Sequence, residues 1–178
     1  MHMKLRTIVI LLCILPALPA HAQQKQFGYL DYRSTITAMP EYAEAENSLK
    51  KMQEDFRKEN ERSENDFHRQ YIEYLHTQKQ LSETILRKRQ KELQLLYDSN
   101  IEFNRMAKEA LQTERKRLMK PIEDKLKNAI RNVGRELGLD YIIDSDGGSY
   151  LYIDTLKSID ITGFVKERLA NEEKSKQN

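Results

Sequence analysis

Between Pro40 and Gly138 the chain follows a single period. Apolar or small side chains recur at Ala45, Leu49, Met52 and Phe56, and again at Phe67, Tyr71, Tyr74 and Leu81. The steps of four and three place them in one stripe on the face of an α-helix. No Gly or Pro interrupts 41–79. A second stretch, 82–137, carries a seam through Leu86, Leu93, Leu96, Phe103, Ala107, Leu111, Leu118, Ile122, Leu126, Ile130 and Val133. Pro40 suits a first helical turn, Ser82 followed by Glu83 suits the second N-terminus, and Gly138 suits a left-handed stop. Pro121 predicts a bend or a break.

Residues 41–79 and 82–120 are 39 positions each, about 58 Å apiece at 1.5 Å per residue. Equal lengths joined at a polar turn near Gln80 predict a long antiparallel helical hairpin. One continuous rod of about 145 Å is the other arrangement the period permits. Every residue from Arg57 to Asp66 is polar, and folding back sets Asn60 and Ser63 opposite Asn100 and Phe103. This layer, with Asn60, Ser63 and Asn100 at its centre, is where the arm is expected to bend.

Outside the helices the period becomes that of strands. Phe27-Gly28-Tyr29-Leu30 reads as a first strand. Tyr141–Asp144 and Tyr150–Asp154 flank Asp146-Gly147-Gly148, a strong hairpin signal. A short helix is expected from Asp160 onward and a loose polar tail over 171–178. The expected organisation is a signal peptide over 1–22, a β-rich body from 23–40 and 121–170, an arm over 41–120, and the tail. Tyr29, Leu30, Ile142, Ile143, Leu151 and Ile153 are the expected body residues, with Pro121 at the helix break.

Composition narrows the possible functions. Charged residues make up 33% of 178 and Trp is absent, which fits a long-helix protein. Lys4 and Arg6, the apolar run Ile8–Leu18 and Ala20-His21-Ala22 read as an export signal cleaved after Ala22. The apolar run is too short for a membrane span. The sole cysteine, Cys13, lies inside the signal. Removing 1–22 takes two of 30 basic residues and leaves 28 against 28 acidic. That neutrality argues against nucleic acid as a partner. Residues 50–120 hold 17 basic and 13 acidic side chains, so the arm is +4 between acidic flanks.

No catalytic, cofactor or metal site emerges. Asp144-Ser145-Asp146-Gly147 lacks the remaining ligands of a calcium loop, and His68 and His76 are eight apart, the wrong spacing for a helical metal pair. The apolar excess on the outer arm is more telling. Leu93, Leu95, Leu96 and Tyr97 nearly circle one helix, with Tyr71, Tyr74 and Leu75 on the other. A two-helix seam buries one stripe of each, so part of this group must meet another molecule. Arg87, Lys88, Arg89, Lys91, Arg105 and Lys108 are interspersed with it.

Several segments are similar to the Skp/OmpH-like periplasmic chaperones: the export signal, Phe27–Asp31, the run Leu118-Met-Lys-Pro-Ile-Glu-Asp-Lys-Leu-Lys-Asn-Ala-Ile130, Gly138–Asp144, Leu151–Asp154 and Asp160-Ile-Thr-Gly163. The resemblance implies a mostly α protein. Its small β-barrel-like body would join three chains, and its helical arms would enclose a cavity. It implies a periplasmic holdase that captures unfolded outer-membrane proteins without ATP or any cofactor. Weak contact with a membrane surface or lipopolysaccharide would be possible, but mature neutrality departs from the usual basic character of such chaperones. The competing reading is an envelope coiled-coil adaptor for one folded partner.

Overall fold

Phe27–Leu30 is strand β1. Asp31 ends it and caps the next element, its Oδ1 accepting the Ser34 N–H at 2.7 Å to start the short helix α1 (Tyr32–Thr37). Pro40 occupies the first position of α2 (Pro40–Thr77), where no intrahelical N–H bond is lost. A 3-10 turn (Gln78–Gln80) leads to α3 (Glu83–Glu136), 54 residues long. Strands β2 (Tyr141–Asp144) and β3 (Ser158–Asp160) and helix α4 (Thr162–Gln177) complete the order. The structure is a computed structural model that describes residues 26–148 and 150–177. The export-signal reading of 1–22 lies outside them. The protein is mostly helical, with one small sheet.

The sheet order is β2-β1-β3, with both neighbours parallel to β1. Parallel strands require a crossover, and here α1, α2 and α3 together form the crossover from β1 to β2. The expected hairpin between Tyr141–Asp144 and Tyr150–Asp154 does not form. Residues 150–154 are not a strand; the third strand is Ser158–Asp160. Helix α4 decides the register. Asp160 Oδ1 accepts the Thr162 N–H at 2.9 Å, and Ile161, Val165 and Leu169 are buried just beyond. That burial draws 158–160, rather than the more apolar 150–154, to the free edge of β1. The sheet is open, with β2 and β3 as its edges, so no barrel closes within one chain.

One face of the sheet carries the core. Leu30, Ile142 and Ile159 pack toward Leu126, Ala129 and Val133 of α3, Ile161 just before α4 and Val165 within it. Gly28 lies on the same face, where a Cβ would sit 2.7 Å from Leu139 Cδ1 and 3.3 Å from the Ile159 carbonyl oxygen. The opposite face presents Tyr29 beside Ile143, and Phe27 stacked on Tyr141 at 5.4 Å. Leu151 is entirely exposed and Ile153 half-buried, so neither belongs to the core of the single chain.

Helix α3 ends as its Gly predicts. Gly138 takes φ 65°, the Leu139 N–H reaches the Gly134 carbonyl at 2.9 Å, and the Gly138 N–H reaches the Arg135 carbonyl at 3.3 Å. Two local expectations fail, and of the two outcomes expected at Pro121 the break does not occur. Pro121 does not break α3 in two; only the bond to the Arg117 carbonyl is forgone, while Leu118, Ile122 and Leu126 pack on the core from both sides of it. Ser82 adopts the extended N-cap backbone but its side chain caps nothing. The 171–177 stretch is not a loose tail, because α4 runs through to Gln177.

Candidate interaction surface on the helical arm

Helices α2 and α3 lie against each other far beyond the sheet. Proceeding outward, Glu46 receives Arg115 Nη1 at 3.0 Å, Phe56 meets the Phe103 ring edge-on at 6.0 Å, and Asn60 Oδ1 accepts Asn104 Nδ2 at 2.7 Å. Phe67 then meets Tyr97 at 5.8 Å, and Tyr74 Oη accepts Gln90 Nε2 at 2.9 Å. From Arg115 to Gln90 numbers fall along α3 as they rise along α2, with adjacent Phe103 and Asn104 meeting Phe56 and Asn60 at one level.

The expected polar layer is present with different partners. Asn60 pairs with Asn104, and Phe103 turns to Phe56. Asn100 uses its backbone carbonyl to accept a second bond from Asn104 at 3.1 Å, and Ser63 is half-buried nearby in sequence. One more turn of reading along the seam, from Asn100 to Asn104, would have identified the pair.

Farther out the seam cannot cover what the chain supplies. Phe67 stacks on Tyr71 at 5.9 Å and also touches Tyr97, building an aromatic cluster that spans both helices. Tyr71, Leu75 and Tyr97 remain exposed, and Tyr74, Leu93 and Leu96 are half-buried in the seam. Leu95 is exposed too, but it is two residues and about 200° from Tyr97 on the helix, so it lies on a different face. The expected group is therefore split. Ile72, Ile85, Ile101 and Met106, each at least 45% exposed, were not among the expected residues. Their signal was available, since each is a large apolar side chain off the seam of its own helix. Ile101 lies four residues beyond Tyr97 and extends the aromatic flank.

The basic residues divide by chemistry. Arg87 pairs with Glu83, Arg89 and Lys88 with Glu92, and Arg105 with both Glu102 and Glu109. These are i,i+3 and i,i+4 pairs on their own helix. The same rule holds Arg57, Arg62, Arg69 and Arg117. Hydrogen bonds from Arg57, Arg62, Arg105 and Arg117 hold Glu54, Glu59, Glu102 and Glu114 below the usual carboxylate range. Among the described residues, Lys91 and Lys108 have no such partner. The arm's surplus positive charge is thus carried by lysines such as these, with the arginines internally neutralised.

Near its turn the arm is closely paired. The space between its helices near the turn, lined by Gln70, Tyr74, Arg89 and Leu93 among others, is about 30 Å³, room for about one water. Among the described residues no group of His, Cys, Asp and Glu could hold a metal ion, and no helix is long and apolar enough to cross a membrane. The arrangement offers a long, two-sided surface with an aromatic flank and flexible cations.

Comparison with known proteins bears on the same span. The family described as "Outer membrane protein (OmpH-like)" matches residues 26–169. No curated protein matches the chain. Among solved structures, the chain is similar to one from Caulobacter crescentus CB15, assigned as an outer membrane chaperone (OmpH-like). The two are 10% identical with a TM-score of 0.69, over 83% of this chain and 85% of that one. At that identity the likeness is one of fold.

Proposed function

The chain belongs to the OmpH-like outer membrane protein family, and on that premise we propose that it is a periplasmic holdase chaperone working without ATP. The observation that carries this reading is the aromatic flank on which Tyr71, Tyr97 and Ile101 stay exposed around half-buried Phe67, because the arm's own pairing does not cover them. Such a surface offers many weak, exchangeable apolar contacts to an unfolded chain. Lys91 and Lys108 supply long-ranged attraction for acidic clients. The clients are unfolded outer-membrane β-barrel proteins.

In this reading α2 and α3 form an antiparallel hairpin arm, and three chains join through their sheets into a homotrimer with a cavity between the arms. Three features support association. The sheet has two open edges. Parallel sheets are normally covered on both faces, yet the face bearing Phe27, Tyr29, Tyr141 and Ile143 has no helix of the core cluster over it. The 150–156 segment leaves Tyr150, Leu151, Tyr152 and Leu156 exposed.

The test is dilution of a urea-unfolded outer-membrane barrel into buffer with and without the native protein, monitored by light scattering. Suppressed aggregation with several unrelated clients is the expected result. Capture of a single folded partner, with no effect on unfolded barrels, would replace this reading with that of an envelope adaptor. A native mass near three times that of one chain is expected for the assembly.

A further inference from the structure

Lys125 touches two other helices at once. Its side chain is 16% exposed, and its Nζ donates to Glu41 Oε1 on the first turn of α2 and to Glu173 Oε1 on α4, the latter at 3.1 Å. The partners are 84 and 48 residues away in sequence, so this one ammonium ties both roots of the arm to the last helix of the chain. Glu41 depends on it closely. Glu41 Oε2 is buried and no hydrogen bond reaches it.

The surroundings make this point a pivot. On the sheet side of Lys125, the α3 residues Leu126, Ala129 and Val133 are almost wholly buried. On the arm side, Pro121 has already removed one helix bond. There a groove of about 480 Å³, lined by Glu41, Ala45, Leu118, Pro121 and Ile122, lies open between α2 and α3. The core continues past Lys125 through buried Ile122 and Met119 of α3 and Ala45 and Leu49 of α2, with the groove opening beside it, so Lys125 is the charged tie at the place where α2, α3 and α4 meet. Other charges nearby are engaged or set apart. Asp124 is held by Lys120, Lys166 donates to Ser34 Oγ at 2.9 Å, and Glu44 lines the groove beside Glu41.

We propose that Lys125, with Glu41 and Glu173, is a latch that fixes the angle at which the arm leaves the sheet, and that its release widens the arm's swing. The purpose of that motion, adjusting a client cavity, rests on the holdase reading; the motion itself does not. Burial is the largest influence on Glu41 and opposes its ionisation, but the hydrogen bond and charge of Lys125, with hydrogen bonds from Glu41's own backbone and from Glu173, together hold the carboxyl below its ordinary value. The latch is therefore closed at neutral pH and weakened by acid.

The experiment measures distance within one chain. Spin labels at Lys58→Cys and Arg131→Cys, both exposed, are placed in the full chain carrying Cys13→Ser and diluted with unlabelled chain. Lys125→Met and Glu173→Gln are expected to shift and broaden the pulsed-resonance distance distribution. Hydrogen exchange over 171–177 is expected to rise about tenfold, as when one local contact is lost. Glu172→Gln, beside Glu173 but outside the cluster, is expected to change neither. Should Lys125→Met fail to fold, Glu173→Gln decides. An unchanged distribution in a folded latch variant, or an equal broadening in Glu172→Gln, overturns the latch. Light scattering with unfolded clients is scored separately, so loss of the holdase reading leaves the distance result standing.

Discussion

Asn104 donates its Nδ2 to Asn60 Oδ1 at 2.7 Å across the seam between α2 and α3, next to the Phe56–Phe103 contact. A polar pair in an otherwise apolar seam fixes register at some cost in stability. The same two residues sit where the expected bend lies. Replacing both by Leu is expected to stabilise the protein by about 1–2 kcal/mol, the cost of two half-buried amides exchanged for apolar packing. Asn104→Leu alone is expected to gain less or to destabilise, because Asn60 Oδ1 loses its donor. Urea melts monitored by circular dichroism check the order of the three.

Gly28 tests the packed face of the sheet. A methyl there meets Leu139 Cδ1, which can move, and the Ile159 carbonyl, which belongs to the adjacent strand. Gly28→Ala is expected to cost about 1–3 kcal/mol, and Gly28→Val more. Thermal unfolding measures both, and an unchanged midpoint in Gly28→Val contradicts the close approach.

The two exposed faces of the outer arm are expected to differ in use. Tyr97→Ser with Ile101→Ser removes the aromatic flank and should lower suppression of client aggregation several-fold. Leu95→Ser, on another face of the same helix, should have little effect. All three positions are exposed, so each substitution should shift stability by less than about 0.5 kcal/mol. Equal loss from Leu95→Ser would spread the contact surface around the whole arm.

The split between paired arginines and unpaired lysines sets the response to salt. Lys91→Gln with Lys108→Gln should slow client capture at low salt and leave a capture rate that responds less to added salt. Arg87→Gln with Arg89→Gln removes the same two charges and also frees Glu83, while Glu92 keeps Lys88, so capture should slow at least as much. Stopped-flow capture of a labelled unfolded barrel at two ionic strengths compares the pairs.

Acid should loosen the whole protein. Glu41, Glu54, Glu59, Glu102, Glu114 and Asp124 all ionise more readily here than is usual for free carboxyls. A group with a lowered folded value stabilises fully above its unfolded value and loses that contribution as pH falls through the folded one. The melting midpoint is expected to stay level near neutrality and to drop below about pH 4.5, where ordinary glutamates titrate. A midpoint that rises on acidification contradicts these pairings.

The long helices were legible because an apolar stripe was sustained over dozens of residues, and no local accident could imitate it. The body was less so. Tyr150-Leu-Tyr-Ile carries every local mark of a strand, yet the edge of β1 went to Ser158-Ile-Asp160, whose one large apolar residue is outweighed by the burial of Ile161 and Val165 immediately after it. Helix α1 is only six residues, too short to show a period. A break at Pro121 does not occur because its local cost, visible in sequence, is offset by the tertiary core contacts of Leu118, Ile122 and Leu126. On the arm, composition identified the apolar excess. The division of that excess into faces and the silencing of the arginines by neighbouring glutamates needed three-dimensional positions.

Placing the entire arm between β1 and β2 has a kinetic consequence. Emerging from synthesis or export with its N-terminus leading, Phe27–Leu30 waits unpaired while more than a hundred residues pass, because its partners are Tyr141–Asp144 and Ser158–Asp160. The helices, built from near-neighbour bonds, can form early, whereas the sheet is limited by the slow closure of a very long loop. A nascent copy truncated before residue 141 would thus be a limb without a shoulder, its first strand bare and ready to pair with the wrong chain.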